Sequence, residues 1–149
     1  MVIRILFVCH GNICRSPMAE FVMLDLIRKA GRKDDFIIAS AATSREEIGN
    51  DTHLGTKNEL KKHGIAFSVR KARQIEQKDY ENFDLIIGMD DANIANLKRF
   101  FGSDEQNKIK KMLSFCKLKA DVADPWYTHD FDATFSDISM ACKAILEQF

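Results

Sequence analysis

The sequence has only two prolines, and no run of it is apolar for the length that a membrane span requires. It also has no excess of either charge, with Lys+Arg and Asp+Glu at 22 each. That removes the broad basic field by which nucleic-acid binders attract their ligand, so neither a nucleic-acid partner nor a membrane is expected. Its four cysteines, Cys9, Cys14, Cys116 and Cys142, lack the Cys-x-x-Cys spacing of a zinc site. His10, His53, His63 and His129 are scattered rather than set at ligand intervals, and no metal or other cofactor is predicted. Both common nucleotide loops are missing: no Gly-x-x-x-x-Gly-Lys-Ser/Thr, and no Gly-x-Gly-x-x-Gly after a strand. The apolar N-terminus is brief, contains Arg4 and reaches His10 without a small-residue cleavage site, which argues against a signal peptide and for a cytoplasmic protein. With 149 residues, 46% of them hydrophobic, one domain over 1–149 is expected.

What is present centres on Val8-Cys9-His10-Gly11-Asn12-Ile13-Cys14-Arg15-Ser16-Pro17. The preceding run Val2–Val8 is β-branched and aromatic, which suits a buried central strand. Ser16 as N-cap and Pro17 at the first helical position read as a helix start, with the helix running from Met18 to Ala30 and stopped by Gly31. Five residues separate Cys9 from Arg15. A loop of that length, ending at a helix N-terminus, can turn its backbone N–H groups toward one anion. Arg15 adds a planar fork that matches two phosphate oxygens. Cys9 would lie at the floor, where these donors favour thiolate, and a thiolate beneath a phosphate is a nucleophile aimed at phosphorus. Cys14 is close enough in sequence to be either a structural loop residue or the partner in a reversible disulfide that shields Cys9.

Further along, Asp35–Ser40 reads as a strand, Leu54–His63 as a helix, Ile65–Val69 as a weak strand, Asp84–Met89 as a short buried strand and Ala92–Phe100 as a helix. The alternation predicts a parallel α/β sheet of four strands, twisted, with helices on both faces. In such sheets ligands bind beyond the carboxyl ends of the strands, where the Cys9 loop lies. Gly102–Ala120, with Lys108, Lys110, Lys111, Lys117 and Lys119, reads as a solvated helix face and loop. Phe131, Phe135, Ile138, Cys142, Ile145 and Phe149 form one stripe of a C-terminal helix.

Asp124-Pro125-Trp126-Tyr127 supplies a carboxylate on a stiff turn beside two aromatic rings. A phenolate leaving group, with a pKa near 10, needs a proton in the transition state, and Asp124 is the candidate acid.

The Cys-His-Gly-Asn-Ile-Cys-Arg-Ser-Pro stretch and the Asp-Pro-Trp-Tyr turn together resemble the low-molecular-weight protein tyrosine phosphatases, and later segments extend the likeness over nearly the whole chain. The resemblance implies a flavodoxin-like architecture and hydrolysis of phosphotyrosine and small aryl phosphates through a phosphocysteine on Cys9. Arg15 and the loop from Cys9 through His10, Gly11, Asn12, Ile13 and Cys14 would bind phosphate, and Asp124 would serve as acid and then base. Asn12, Ser16, Ser40 and Asp90 would order the loop, with Ile13, Glu46, Trp126 and Tyr127 around the substrate ring. Expected partners are a phosphotyrosine-containing protein and inorganic phosphate or similar oxyanions, bound by a monomer.

There are departures from the family pattern. Ala42 replaces a glycine in Ser40-Ala41-Ala42-Thr43, Arg70 stands where many members carry histidine, and Glu46 lies where some place a rim tryptophan, which should disfavour acidic substrates. Arsenate reductases of similar fold need further cysteines near residues 80 to 90, absent here; arginine phosphatases prefer threonine at Ile13. A non-catalytic phosphoprotein-binding module would tolerate loss of Cys9 or Asp124, and both are retained.

Overall fold

Ile3–Cys9 (β1) is buried on both faces from Ile5 onward, as the apolar run Ile5–Cys9 demands. Ile5 and Phe7 point into one core and Leu6 and Val8 into another, following the two-residue period of a strand. The computed structural model describes residues 1–149, arranged about this strand. Phe36–Ala42 (β2) and Leu85–Gly88 (β3) flank it, and Ile109–Lys111 (β4) closes the order β2-β1-β3-β4. Every pairing is parallel.

The helices are Arg15–Lys29 (α1), Leu54–Lys62 (α2), Asp79–Asn82 (α3), Asp91–Phe101 (α4), Pro125–Thr128 (α5) and Phe131–Gln148 (α6). α1 and α6 cover the face that holds Ile5 and Phe7, where Met18, Val22, Ile138, Cys142 and Ile145 are buried. α4 covers the other face through Leu97, beside Leu6 and Ile86. Gly31, at φ 67°, ends α1: its N–H reaches the Arg28 carbonyl and that of Arg32 reaches Ile27, the paired bonds of a Schellman cap.

Three expectations need correction. Ile65–Val69 forms no strand, because its apolar side chains cover α1 instead of extending the sheet: Phe67 packs edge to face on Phe21 at 6.2 Å, and Val69 is exposed. The fourth strand is β4, within the stretch read as solvated helix and loop, and Lys111 there reaches Asp91 at 2.8 Å and Asp121 at 2.9 Å. A short edge strand carrying lysines resists pairing with other chains. Finally, α1 begins at Arg15, so Cys14 occupies the cap position and Pro17 is the third helical residue, still within the first turn where its missing N–H is harmless.

Candidate active site

β1 ends at Cys9 and α1 begins at Arg15, and the intervening loop curls beyond the carboxyl end of the central strand. Its carbonyls are bound from outside. Cys9 O accepts from the Thr43 N–H at 3.0 Å, His10 O from Ser44 at 3.1 Å, and Ile13 O from His53 at 2.8 Å, while Cys14 O accepts from the Thr56 hydroxyl at 3.2 Å. In a trans peptide the next N–H points opposite to the carbonyl, so these bonds turn the amides of His10, Gly11, Cys14 and Arg15 toward the cleft. Amides so placed can receive an anion, held there by the surrounding chain.

Asn12 makes the turn possible. It sits at φ 60°, a left-handed conformation that asparagine tolerates better than most residues, and it is fully buried. Its Nδ2 donates to Ser16 Oγ at 2.8 Å and Ser40 Oγ at 2.9 Å, while its Oδ1 accepts from the Arg73 N–H at 3.2 Å and from the Arg70 guanidinium. Ser40 in turn donates to Glu20 at 2.5 Å. Burial pushes the Glu20 carboxyl above its ordinary range, opposed by that hydrogen bond and by Arg70 and Arg73. Ala42, at the glycine position of the family pattern, is buried in β2 with no positive φ, so the methyl group introduces no backbone strain.

Cys9 Sγ, 3% exposed as a residue, faces the Asn12 N–H at 3.3 Å, the Ser16 N–H at 3.4 Å and the Ser16 hydroxyl at 3.0 Å. Ser16 was expected to cap α1. It lies inside the helix, and its side chain bonds the sulfur while accepting from Asn12. Two backbone N–H groups and one hydroxyl thus surround the sulfur. The Cys14 thiol is pushed up to about 12, by burial first and then by Cys9 and Asp124, so it is neutral near pH 7. All four cysteines are free.

Arg15 is 2% exposed and anchored from one side: Nη1 donates to Asp90 Oδ2 and to the Val122 carbonyl, both at 2.8 Å. Burial opposes its charge, but Cys9, Asp90 and Asp124 outweigh it and hold the guanidinium more firmly protonated than usual. Asp90 also caps α4 through the Asn93 N–H at 2.7 Å, so one carboxylate fixes both a helix start and the arginine. Asp124 divides its oxygens in the same manner. Oδ1 accepts from the Trp126 N–H at 3.0 Å and caps α5; Oδ2 faces Arg15 Nη2 at 3.4 Å.

Cys9, Arg15 and Asp124 line a cleft of about 120 Å³ together with Glu46, Glu47, Trp126 and Tyr127. His10 Nε2 lies 2.8 Å from Glu46. Ile13 lines the cleft, whereas Ser40 and Asp90 are not in its lining and bond Asn12 and Arg15. Sequence reasoning missed Glu47, whose adjacency to Glu46 was the available signal, and Glu20 and the Val122 carbonyl, for which the sequence offers none. A more open depression of about 710 Å³ between α2 and α6 contains Cys116 but no loop of amides. Glu59, His63 and Asp132 converge at its edge, with donor atoms within 4.8 Å of one another, and Lys62 already supplies positive charge to both carboxylates. No helix is long and apolar enough to cross a membrane.

A thiol beneath an arginine and inward-facing amides, with a carboxylate across the cleft, is an arrangement for oxyanion chemistry. The comparisons with known proteins agree. The family model described as low molecular weight phosphotyrosine protein phosphatase matches residues 4–149. The low molecular weight protein-tyrosine-phosphatase YfkJ of Bacillus subtilis is 40% identical, covering 97% of this chain and 94% of that protein. Its crystal structure superposes with a TM-score of 0.95 over 99% of this chain and 94% of that one. The rat low molecular weight phosphotyrosine protein phosphatase is 37% identical over the same shares. The Streptococcus pyogenes enzyme SP-PTP, 39% identical, gives a TM-score of 0.90 over 99% of this chain and 93% of that one. Sequence, fold and the content of the cleft therefore place this chain in one family of enzymes, the low-molecular-weight protein tyrosine phosphatases.

Proposed function

We propose that the protein hydrolyses phosphotyrosine monoesters, and small aryl phosphates, through a covalent phosphocysteine on Cys9. The observation that carries this is the set of Ser16 and Asn12 donors around Cys9 Sγ, at the floor of a loop whose far end is Arg15. The thiolate attacks phosphorus in line with the departing oxygen. The loop from Cys9 through His10, Gly11, Asn12, Ile13, Cys14 and Arg15 holds the equatorial oxygens as charge shifts among them. As the P–O bond breaks, Asp124 gives its proton to the phenolate. The resulting carboxylate takes a proton from water, whose oxygen attacks phosphorus, breaks the S–P bond and releases phosphate and the Cys9 thiolate.

Asn12, Ser16, Ser40 and Asp90 act by holding the loop and Arg15. Ile13, Glu46, Trp126 and Tyr127 bound the substrate ring. Cys14, a neutral thiol, does not compete as nucleophile and is the candidate partner for a protective disulfide with Cys9. The partner is a phosphotyrosine-containing protein in the cytoplasm, met by a monomer that needs no metal or other cofactor and also binds inorganic phosphate. An arsenate reductase would need further thiols to pass a disulfide onward, and Cys116 and Cys142 lie outside the cleft lining. The direct test is acid quench of a reaction with labelled phosphotyrosine peptide, followed by peptide mapping. Label on the Cys9 peptide supports the pathway; turnover with no trapped phosphoprotein in either the wild type or Asp124→Ala would contradict it.

A further inference from the structure

The floor of the cleft is built for a phosphate dianion, yet its mouth is negative. Glu46 and Glu47 are in its lining, no lysine lines the cleft, and its one arginine is the buried Arg15. Arg15 is already committed to Asp90 and faces Asp124. Nearby cations are turned aside: Arg45 donates to Gln74 at 3.2 Å, and Lys57 pairs with Asp51 at 2.5 Å. Both glutamates are held in place. Glu46 is tied to His10 at 2.8 Å, while Glu47 accepts from Asn50 at 2.6 Å and packs its Cγ 3.2 Å from the point where a side chain on Gly11 would begin. In the same lining, Trp126 and Tyr127 are 53% and 78% exposed, leaving aromatic surface open to whatever surrounds the phosphate. A mouth of this charge disfavours a substrate with further negative charge beside its phosphate and favours one that brings positive charge there.

We propose that the cleft selects phosphotyrosines flanked by lysine or arginine, with Glu46 and Glu47 as the specificity-determining residues. This deepens the phosphatase reading and rests on it. A basic side chain beside the phosphotyrosine pairs with the carboxylates, and the cation can also lie against the exposed faces of Trp126 or Tyr127. An acidic flank meets the same carboxylates as a like charge. Exposed pairs are individually weak, worth a few-fold each, so replacing a basic by an acidic flank changes kcat/KM by about tenfold at low salt. Because the mouth is open to solvent, the preference is screened by added salt.

The test compares phosphotyrosine peptides that differ only in lysine, alanine or glutamate flanks, each assayed for kcat/KM beside an aryl phosphate that has no flanks. Low and high ionic strength are both used, and the wild type is set beside Glu46→Gln/Glu47→Gln and Glu46→Lys/Glu47→Lys. The expected order in the wild type is lysine, alanine, glutamate, spread over about tenfold and contracting in salt. The spread should shrink in the glutamine pair and reverse in the lysine pair. Equal rates for all peptides at low salt, or a lysine preference that persists unchanged in the glutamine pair, overturns the proposal. Should the variants fail to fold, the salt series on the wild type decides it, since a preference indifferent to salt is not electrostatic. If the wild type hydrolyses neither the aryl phosphate nor any peptide, the phosphatase reading itself falls; hydrolysis without preference removes only the selectivity.

Discussion

The guanidinium of Arg70 donates to Oδ1 of Asn12, the residue that turns the anion loop at φ 60°. The two are 58 positions apart in sequence, and the contact fixes the loop from outside. Arg70 also donates to Thr52 Oγ1 at 3.3 Å, and its own N–H reaches Asp51 at 3.1 Å. Burial lowers its pKa, opposed by Glu20, Cys9 and Asp51, but an arginine remains charged across the working range where a histidine would not.

Arg70→Met should therefore loosen the loop, costing about 1–2 kcal/mol of stability because one acceptor site of a buried amide loses its charged donor. Arg70→His should stay active, because a neutral imidazole keeps one N–H donor, but its activity should decline as pH rises through about 6.5, where the imidazole discharges. Comparing the pH profile of kcat with that of the wild type checks this; superimposable profiles would show that charge at position 70 does not hold Asn12.

Asp124→Asn keeps the α5 cap, since an amide oxygen can still accept from the Trp126 N–H, but it cannot donate the proton. Turnover of phenyl phosphate should fall about a hundredfold or more, and turnover of an ester with an acidic leaving group far less. Equal slowing of both substrates would remove Asp124 from the acid role.

Asp51 is held down to about 2, chiefly by its hydrogen bond from Lys57, with backbone N–H groups of Thr52 and Arg70 adding to it. Its folded pKa lies below its unfolded value, so the stabilisation is present above about pH 4 and is lost as pH falls toward 2. Denaturant titrations across that window should give Asp51→Asn a flatter decline in stability than the wild type.

Gly55, in the first turn of α2, faces the ring of Phe131, and a Cβ there would run into it. Phe131 stacks on His53 at 5.5 Å, and His53 meets Trp126 at 5.7 Å. Gly55→Ala should destabilise the fold by about 1–3 kcal/mol and shift Trp126 fluorescence, because the displaced ring pushes on the aromatic wall of the cleft.

The first strand, the loop and the last helix were legible because each satisfies two local rules at once. β1 is apolar apart from Arg4 and runs straight into His10-Gly11-Asn12, and α6 keeps its stripe for its whole length. β4 was not legible: two of its three residues are lysines, and its place is set by pairing with β3 rather than by its own pattern. Ile65–Val69 failed for the converse reason, since strand-like residues can equally serve to cover a helix. Ser16 had a sufficient local explanation as a cap, and the fold places it inside α1 with its hydroxyl 3.0 Å from the Cys9 sulfur. Cys9, Arg15 and Asp124, which the fold brings into one cleft, were visible; Glu20, Thr52 and the Val122 carbonyl, which bond the residues around them, act across the fold and leave no local trace.

The role of Cys9 is tested most directly by steady-state hydrolysis of an aryl phosphate and a phosphotyrosine peptide, with reduced protein in chelator, wild type beside Cys9→Ser. The account predicts activity that survives the chelator and is abolished by the serine, while the variant stays folded and still binds phosphate. Activity retained by Cys9→Ser, or an inactive wild type that binds phosphate normally, would contradict it.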